Sequence, residues 1–128
     1  MRTAYNDVHE FHRVFGHPAC FKPTLQAEQR KHARADWIAE EVEELREAVT
    51  VEDQADAYID ILYFAVGGMV EMGIDPEPLW EIVHGANMAK VQRDGSVKRR
   101  EDGKIIKPEG WQDPASLLRA EIERQRNG

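Results

Sequence analysis

Between Leu25 and Val49 the chain has neither glycine nor proline, and Ile38, Val42, Leu45 and Val49 recur at spacings of four, three and four. That period sets the apolar residues on one face of a long helix, which must bury the face against another element. Thr50 followed by Asp53 has the form of a capping box with Asp in place of Glu, so a second helix begins almost at once. Helices joined so tightly are antiparallel neighbours. The second is predicted from about Val51 to Met72, ended by Gly73.

The remaining elements extend this hairpin. Val8, Phe11, Val14 and Phe15 predict a short helix from about Asn6 to Phe15, stopped by Gly16-His17-Pro18, with a loop over Pro18 to Pro23. Asp75-Pro76 supplies an N-cap and a first-turn proline for a helix running to about Val91, with Leu79, Ile82, Val83, Ala86 and Met88 on its core face. From Arg93 to Gln112 the turn pairs Asp94-Gly95 and Asp102-Gly103, then Pro108-Glu109-Gly110, predict an irregular or hairpin-like excursion anchored by Ile105, Ile106 and Trp111. Asp113-Pro114 opens a last helix through Leu117, Leu118 and Ile122, with a charged tail expected to fray. The expected fold is all-α: an antiparallel bundle of four to five helices, with an irregular basic loop before the last. At 128 residues and 41% hydrophobic content, residues 1–128 are expected to form one domain.

The acidic residues are concentrated on the two central helices. From Glu40 to Asp60 stand Glu40, Glu41, Glu43, Glu44, Glu47, Glu52, Asp53, Asp56 and Asp60, against Arg46 alone. Glu40 and Glu44 lie one turn apart; Glu41 shares a stripe with Trp37, Glu44 and Ala48; Asp53, Asp56 and Asp60 form a stripe on the next helix. A glutamate run by itself is commonly a solvated face. Asp60 changes that balance, because it interrupts the apolar run from Ala57 to Val66, where an uncompensated carboxylate costs several kcal/mol. Two facing acidic stripes repel unless cations intervene, and a hard divalent metal such as magnesium is the simplest counter-charge.

The net charge of −7 argues against a surface built wholly for nucleic acid or anionic membrane. Base collects late, in Lys90, Arg93, Lys98, Arg99, Arg100, Lys104 and Lys107, a segment suited to a metal-bridged polyanion such as a nucleoside triphosphate. Cys20 is the only cysteine, which rules out an intrachain disulfide and a thiolate cluster. No apolar signal core opens the chain, and the uncharged stretch from Ile61 to Val70 is about half the length a membrane-spanning helix needs. A cytoplasmic protein is expected.

Trp37-Ile38-Ala39-Glu40-Glu41-Val42-Glu43-Glu44-Leu45, Asp56-Ala57-Tyr58-Ile59-Asp60-Ile61-Leu62-Tyr63 and Ala86-Asn87-Met88-Ala89-Lys90, followed by Asp102 to Trp111, resemble the MazG-like all-α nucleoside triphosphate pyrophosphohydrolases. The tail, with Lys107-Pro108-Glu109-Gly110-Trp111, looks like the short phosphoribosyl-ATP-pyrophosphohydrolase-like branch. The resemblance implies cleavage between the α and β phosphates, giving monophosphate and pyrophosphate, with Mg2+ as cofactor and Mn2+ able to substitute. It implies Glu40, Glu41, Glu44 and Asp60 as metal ligands, with one glutamate, Glu41 foremost or Glu40, taking the proton of the attacking water. The family's second motif is usually Glu-x-x-Asp, whereas Ala57 stands three before Asp60; Asp56 is the expected replacement ligand, and the number of metal ions stays open. Asn87 and Lys90 are placed to meet phosphate oxygens, Lys104 or Lys107 to close over them, and Trp37 either to stack on a base or to pack.

Relatives include dUTP-directed and guanine-directed enzymes, so dGTP, GTP and dUTP are among the expected substrates. A chain this small leaves apolar helix faces uncovered, which predicts a homodimer or homotetramer. Two other functions stay open. Glu81-x-x-His84 suggests a carboxylate-bridged di-iron bundle, although that class needs two such elements. Lys98-Arg99-Arg100 suggests a non-enzymatic nucleic-acid-binding regulator.

Overall fold

The computed structural model describes residues 1–128 and contains five helices: α1 (Arg2–Phe15), α2 (Glu28–Glu47), α3 (Val51–Met72), α4 (Pro76–Met88) and α5 (Ala115–Asn127). No strand forms. The all-α expectation therefore holds. α3 is the central element, packing against α2 on one side and α1 on the other, while α4 packs on α1 and α5.

The α2–α3 junction has the expected chemistry. The Thr50 hydroxyl accepts the Asp53 amide at 3.1 Å, and α3 ends at Gly73, whose φ of 69° is the left-handed conformation that suits glycine. Gly73 meets a second demand: a Cβ there would lie 2.5 Å from the Lys22 carbonyl oxygen. The loop after α1 thus lies directly on the end of α3. Cys20 donates its amide to Val70 O and Thr24 donates to Met72 O. Because Thr24 is held in this way, α2 starts at Glu28 instead of the expected Leu25.

α1 begins at Arg2, four residues earlier than the sequence suggests, because its first turn is tied to the start of α4. The Arg2 amide donates to Glu77 Oε2 at 3.1 Å, and the Arg2 guanidinium pairs with Asp75 at 3.1 Å. Asp75 also caps α4, accepting the Glu77 amide. α4 stops at Met88, short of Val91, as Lys90 and Val91 switch to tighter bonds to Asn87 O and Met88 O. The basic segment folds into a small hairpin: Arg100 donates to Lys104 O and Ile106 to Lys98 O, around an antiparallel bridge between Arg99 and Ile105. The Asp113 carboxylate accepts the Ala115 amide at the start of α5, and the Gln125 side chain fastens that helix to the Asp75 backbone. α5 continues to Asn127, laced by Arg124–Glu121 and Arg126–Glu123 pairs.

The core of one chain is small. Val8, Val66 and Val70 form its centre, with Met1, Tyr5 and Ala19 packed against them. The apolar run around Asp60 is only partly covered: Ala57 is buried, but Tyr58 and Ile59 are 62% and 59% exposed. Asp60 itself is half-buried, not enclosed as the run suggests.

Candidate active site

The α2–α3 seam keeps one antiparallel register along its length. Arg30 meets Glu71, Arg34 lies against Gly67, Trp37 faces Phe64 and Glu41 faces Asp60, so that each pair of residue numbers adds to the same total. Successive pairs sit about one helical turn apart. Along the seam the chemistry changes from acidic, through aromatic, to a buried ion network.

At the acidic end, oxygens of Glu41, Glu44 and Asp60 lie within 4.8 Å of one another. Glu41 Oε2 is buried and has no hydrogen-bond partner. Desolvation, a hydrogen bond with Glu44 and the charges of Glu44, Asp60 and Asp56 push the Glu41 carboxyl up to about 7. Asp60 is raised by desolvation and by Asp56 and Glu44, with hydrogen bonding to Glu41 pulling the other way. Crowded carboxylates with an orphaned oxygen are a fit for a divalent cation, and an all-oxygen donor set suits a hard ion. Asp56 lies outside the converging trio, in an adjoining acidic hollow with Glu44, Glu47, Ala48 and Asp53. Glu40 is exposed and also lies outside the trio.

One turn along the seam, Phe11, His12, His17, Arg34, Trp37, Tyr63 and Phe64 line a cavity of about 310 Å3. Trp37 and Phe64 form its far wall, with ring centroids 5.8 Å apart. Phe11 stacks on His17 and meets Tyr63 edge-on. Trp37 is a wall residue, with the guanidinium groups of Arg30 and Arg34 at 5.3 and 5.2 Å from its ring centroid.

The third zone lay beyond our sequence reading. Glu71 is buried and accepts from Arg30 Nε at 2.8 Å, from Arg34 Nη2 at 3.1 Å and from Gln26 Nε2. Burial alone would raise Glu71; the bonds from Arg34, Arg30 and Gln26 outweigh it and hold the carboxyl below its ordinary range. The signal was available, since Glu71 interrupts an apolar run as Asp60 does, and Arg30 and Arg34 share its helical spacing. Gly67 gains its meaning here: a Cβ would overlap Arg34 Nη1 and lie 3.2 Å from His12 Nε2. The close approach it permits is that of the Arg34 side chain.

The expected phosphate ligands make no direct bond to the carboxylates within one chain. Lys90 Nζ donates to Asn87 Oδ1 at 2.9 Å, and Lys90 and Lys107 lie over the Trp111 ring, itself fixed by a bond from Nε1 to Ala86 O. Lys104 sits in the hairpin, its amide held by Asp102. No ion pair joins any of these lysines to the acidic cluster. Glu81 and His84 are exposed on α4 and belong to no converging ligand group.

Residues 8–87 match the family model described as phosphoribosyl-ATP pyrophosphohydrolase. The chain is 33% identical over 125 residues to an uncharacterized protein of Acanthamoeba polyphaga mimivirus, covering 91% of this chain but only 48% of that protein. It is also similar to a crystal structure from Exiguobacterium sp. 255-15, of a protein provisionally named an NTP pyrophosphohydrolase. The identity there is 36%, the TM-score 0.55, and the coverage 97% of this chain and 96% of that one.

Proposed function

Because the chain belongs to the phosphoribosyl-ATP pyrophosphohydrolase family, we propose that it hydrolyses a nucleoside or deoxynucleoside triphosphate to the monophosphate and pyrophosphate. The observation that carries the proposal is the convergence of Glu41, Glu44 and Asp60 around an unpartnered buried oxygen, one helical turn from an aromatic cavity. Glu41, Glu44 and Asp60 would hold Mg2+, or Mn2+ in its place, with Asp56 and Glu40 as further candidate ligands. A bound divalent cation supplies charge neutralisation of the triphosphate and a lower pKa for the attacking water.

Glu41 is the base we assign. Its buried Oε2, left without a hydrogen-bond partner beside Glu44 and Asp60, is the acceptor free to take the proton of the attacking water. Glu40 is the alternative base. The water oxygen bonds to phosphorus at the α–β bridge, the bridging P–O bond breaks, and pyrophosphate leaves, with no covalent enzyme intermediate. Trp37 and its cavity receive the base, while Asn87, Lys90, Lys104 and Lys107 attend the phosphates.

None of these four residues bonds directly to the carboxylates of its own chain, and a second copy could present its own set to them. The surface favours a second copy. One chain exposes 9247 Å2, against the roughly 6,900 Å2 that accessible-surface scaling gives for a compact monomer of this mass.

Incubation with Mg2+ and each common ribo- and deoxyribonucleoside triphosphate tests the activity. At least one should yield its monophosphate and pyrophosphate, and Glu41→Gln and Asp60→Asn should each lower kcat by about 100-fold or more. The mechanism is wrong if no nucleotide is cleaved or if both variants keep full activity.

A further inference from the structure

The aromatic cavity has a polar edge whose hydrogen-bonding sense is fixed by the chain. His17 Nδ1 lies 3.2 Å from Arg30 Nη2. A guanidinium only donates, so Nδ1 must accept and the ring proton of neutral His17 sits on Nε2. Nε2 has no partner within the chain, and the ring lines the cavity, stacked on Phe11. Arg30 cannot turn away freely, because Nε and Nη2 are both committed to buried Glu71. His12 is locked the opposite way: its Nδ1 lies 2.7 Å from the Pro18 carbonyl oxygen and therefore donates. The His17 Nε2 proton is thus a fixed donor at the rim of a cavity whose other walls are the rings of Phe11, Trp37, Tyr63 and Phe64 together with His12 and the Arg34 side chain.

We propose that His17 is a specificity-determining residue that donates from Nε2 to the keto oxygen at C6 of a purine or C4 of a pyrimidine, so that the protein prefers guanine, uracil or thymine nucleotides over adenine and cytosine ones. Arg30 and Glu71 are positioning residues that act through the His17 tautomer. The inference rests on the activity proposed above, and it follows from the seam register. Trp37 and Phe64 each lie one turn, about 6 Å of helix rise, from Glu41 and Asp60, so a triphosphate at the carboxylates directs its base toward this cavity. An exocyclic amino group in the keto position would set donor against donor. A site built to bond a substrate group discriminates strongly against an analogue that lacks it, since its own buried polar atom is then unpaired.

The test compares kcat/KM for dGTP, dUTP, dATP and dCTP with Mg2+ in the full chain and in His17→Phe, His17→Gln and Arg30→Met. The wild type should favour the keto pair at least about tenfold. His17→Phe, which keeps a stacked ring without a donor, should bring the ratio near one mainly through KM. His17→Gln, which restores an N–H, should recover part of the preference, and Arg30→Met should weaken it. Turnover without a keto preference, or an unchanged ratio in His17→Phe, overturns the inference and leaves the activity standing. If no nucleotide is cleaved, the activity itself is wrong, and tryptophan-fluorescence binding of the four nucleosides decides the pocket separately. Tighter guanosine and uridine than adenosine and cytidine supports it; equal affinities overturn it.

Discussion

At the scale of single residues, two carboxylates on the α2–α3 seam meet opposite fates. Glu71 is enclosed by two guanidinium groups and an amide, so its charge is matched within the chain. Glu41 has only other acids near it, and its carboxyl is raised to about 7. The unfolded value is about 4.3, so the native state holds this proton more tightly than the unfolded chain does. A raised carboxylate therefore favours folding below the unfolded value and loses that contribution as pH rises through the folded one. His12, lowered by burial despite its bond to Pro18 O, acts in the opposite sense, losing stability as pH falls below its unfolded value, and so opposes the trend in the wild type. Substitution separates them. In metal-free protein, Glu41→Gln should raise Tm at pH 8, where the wild type carries the unwanted charge, and leave it unchanged at pH 5. A Tm that falls at pH 8 would mean that Glu41 is not strained by its neighbours. The same variant should lose the Tm increase that Mg2+ gives the wild type.

At the scale of elements, α3 was legible to the residue at both ends because its signals are local: a hydroxyl cap at Thr50 and a left-handed glycine at Gly73. The starts of α1 and α2 were not, since Glu77 and Met72 O, which set them, lie far away in sequence. The candidate site divides in the same way. Glu41, Glu44 and Asp60 are related by helical spacing and by one short turn, whereas His17 reaches the cavity only through a loop laid over α3. Gly67 and Gly68 are adjacent yet should respond differently. Alanine adds about 1 kcal/mol of helix propensity at either position. At Gly67 the new methyl displaces Arg34 from Glu71 and the Phe64 carbonyl, and overpacking of this kind costs about 1–3 kcal/mol. At Gly68 it meets only Arg34 Cδ at 3.3 Å. Urea unfolding should therefore show Gly67→Ala destabilised and Gly68→Ala neutral or slightly stabilised. Equal effects would mean that the Arg34 network yields without loss.

At the scale of the whole molecule, α3 and α4 diverge around an open cleft of about 380 Å3 lined by Leu62, Ala65, Met69, Leu79, Trp80 and Val83, with almost no polar surface in it. Trp80 is 58% exposed and Tyr58 62%, an arrangement that solvated single chains avoid at this extent. The excess of roughly 2,300 Å2 over a compact monomer is in the range that obligate homodimers bury. A two-fold partner laid in the cleft would cover the apolar run around Asp60 and raise the desolvation of the acidic cluster, strengthening its demand for a cation. It would also give the lysines of α4 and the hairpin another set of carboxylates to face. Light scattering at micromolar concentration should give at least twice the chain mass of 14.7 kDa. Trp80→Glu should shift the protein toward monomer while circular dichroism still reports helix, and its pyrophosphate release should fall with the dimer fraction. A wild-type monomer would exclude a partner from the cleft, and monomeric Trp80→Glu with full turnover would show that one chain supplies every group the chemistry needs.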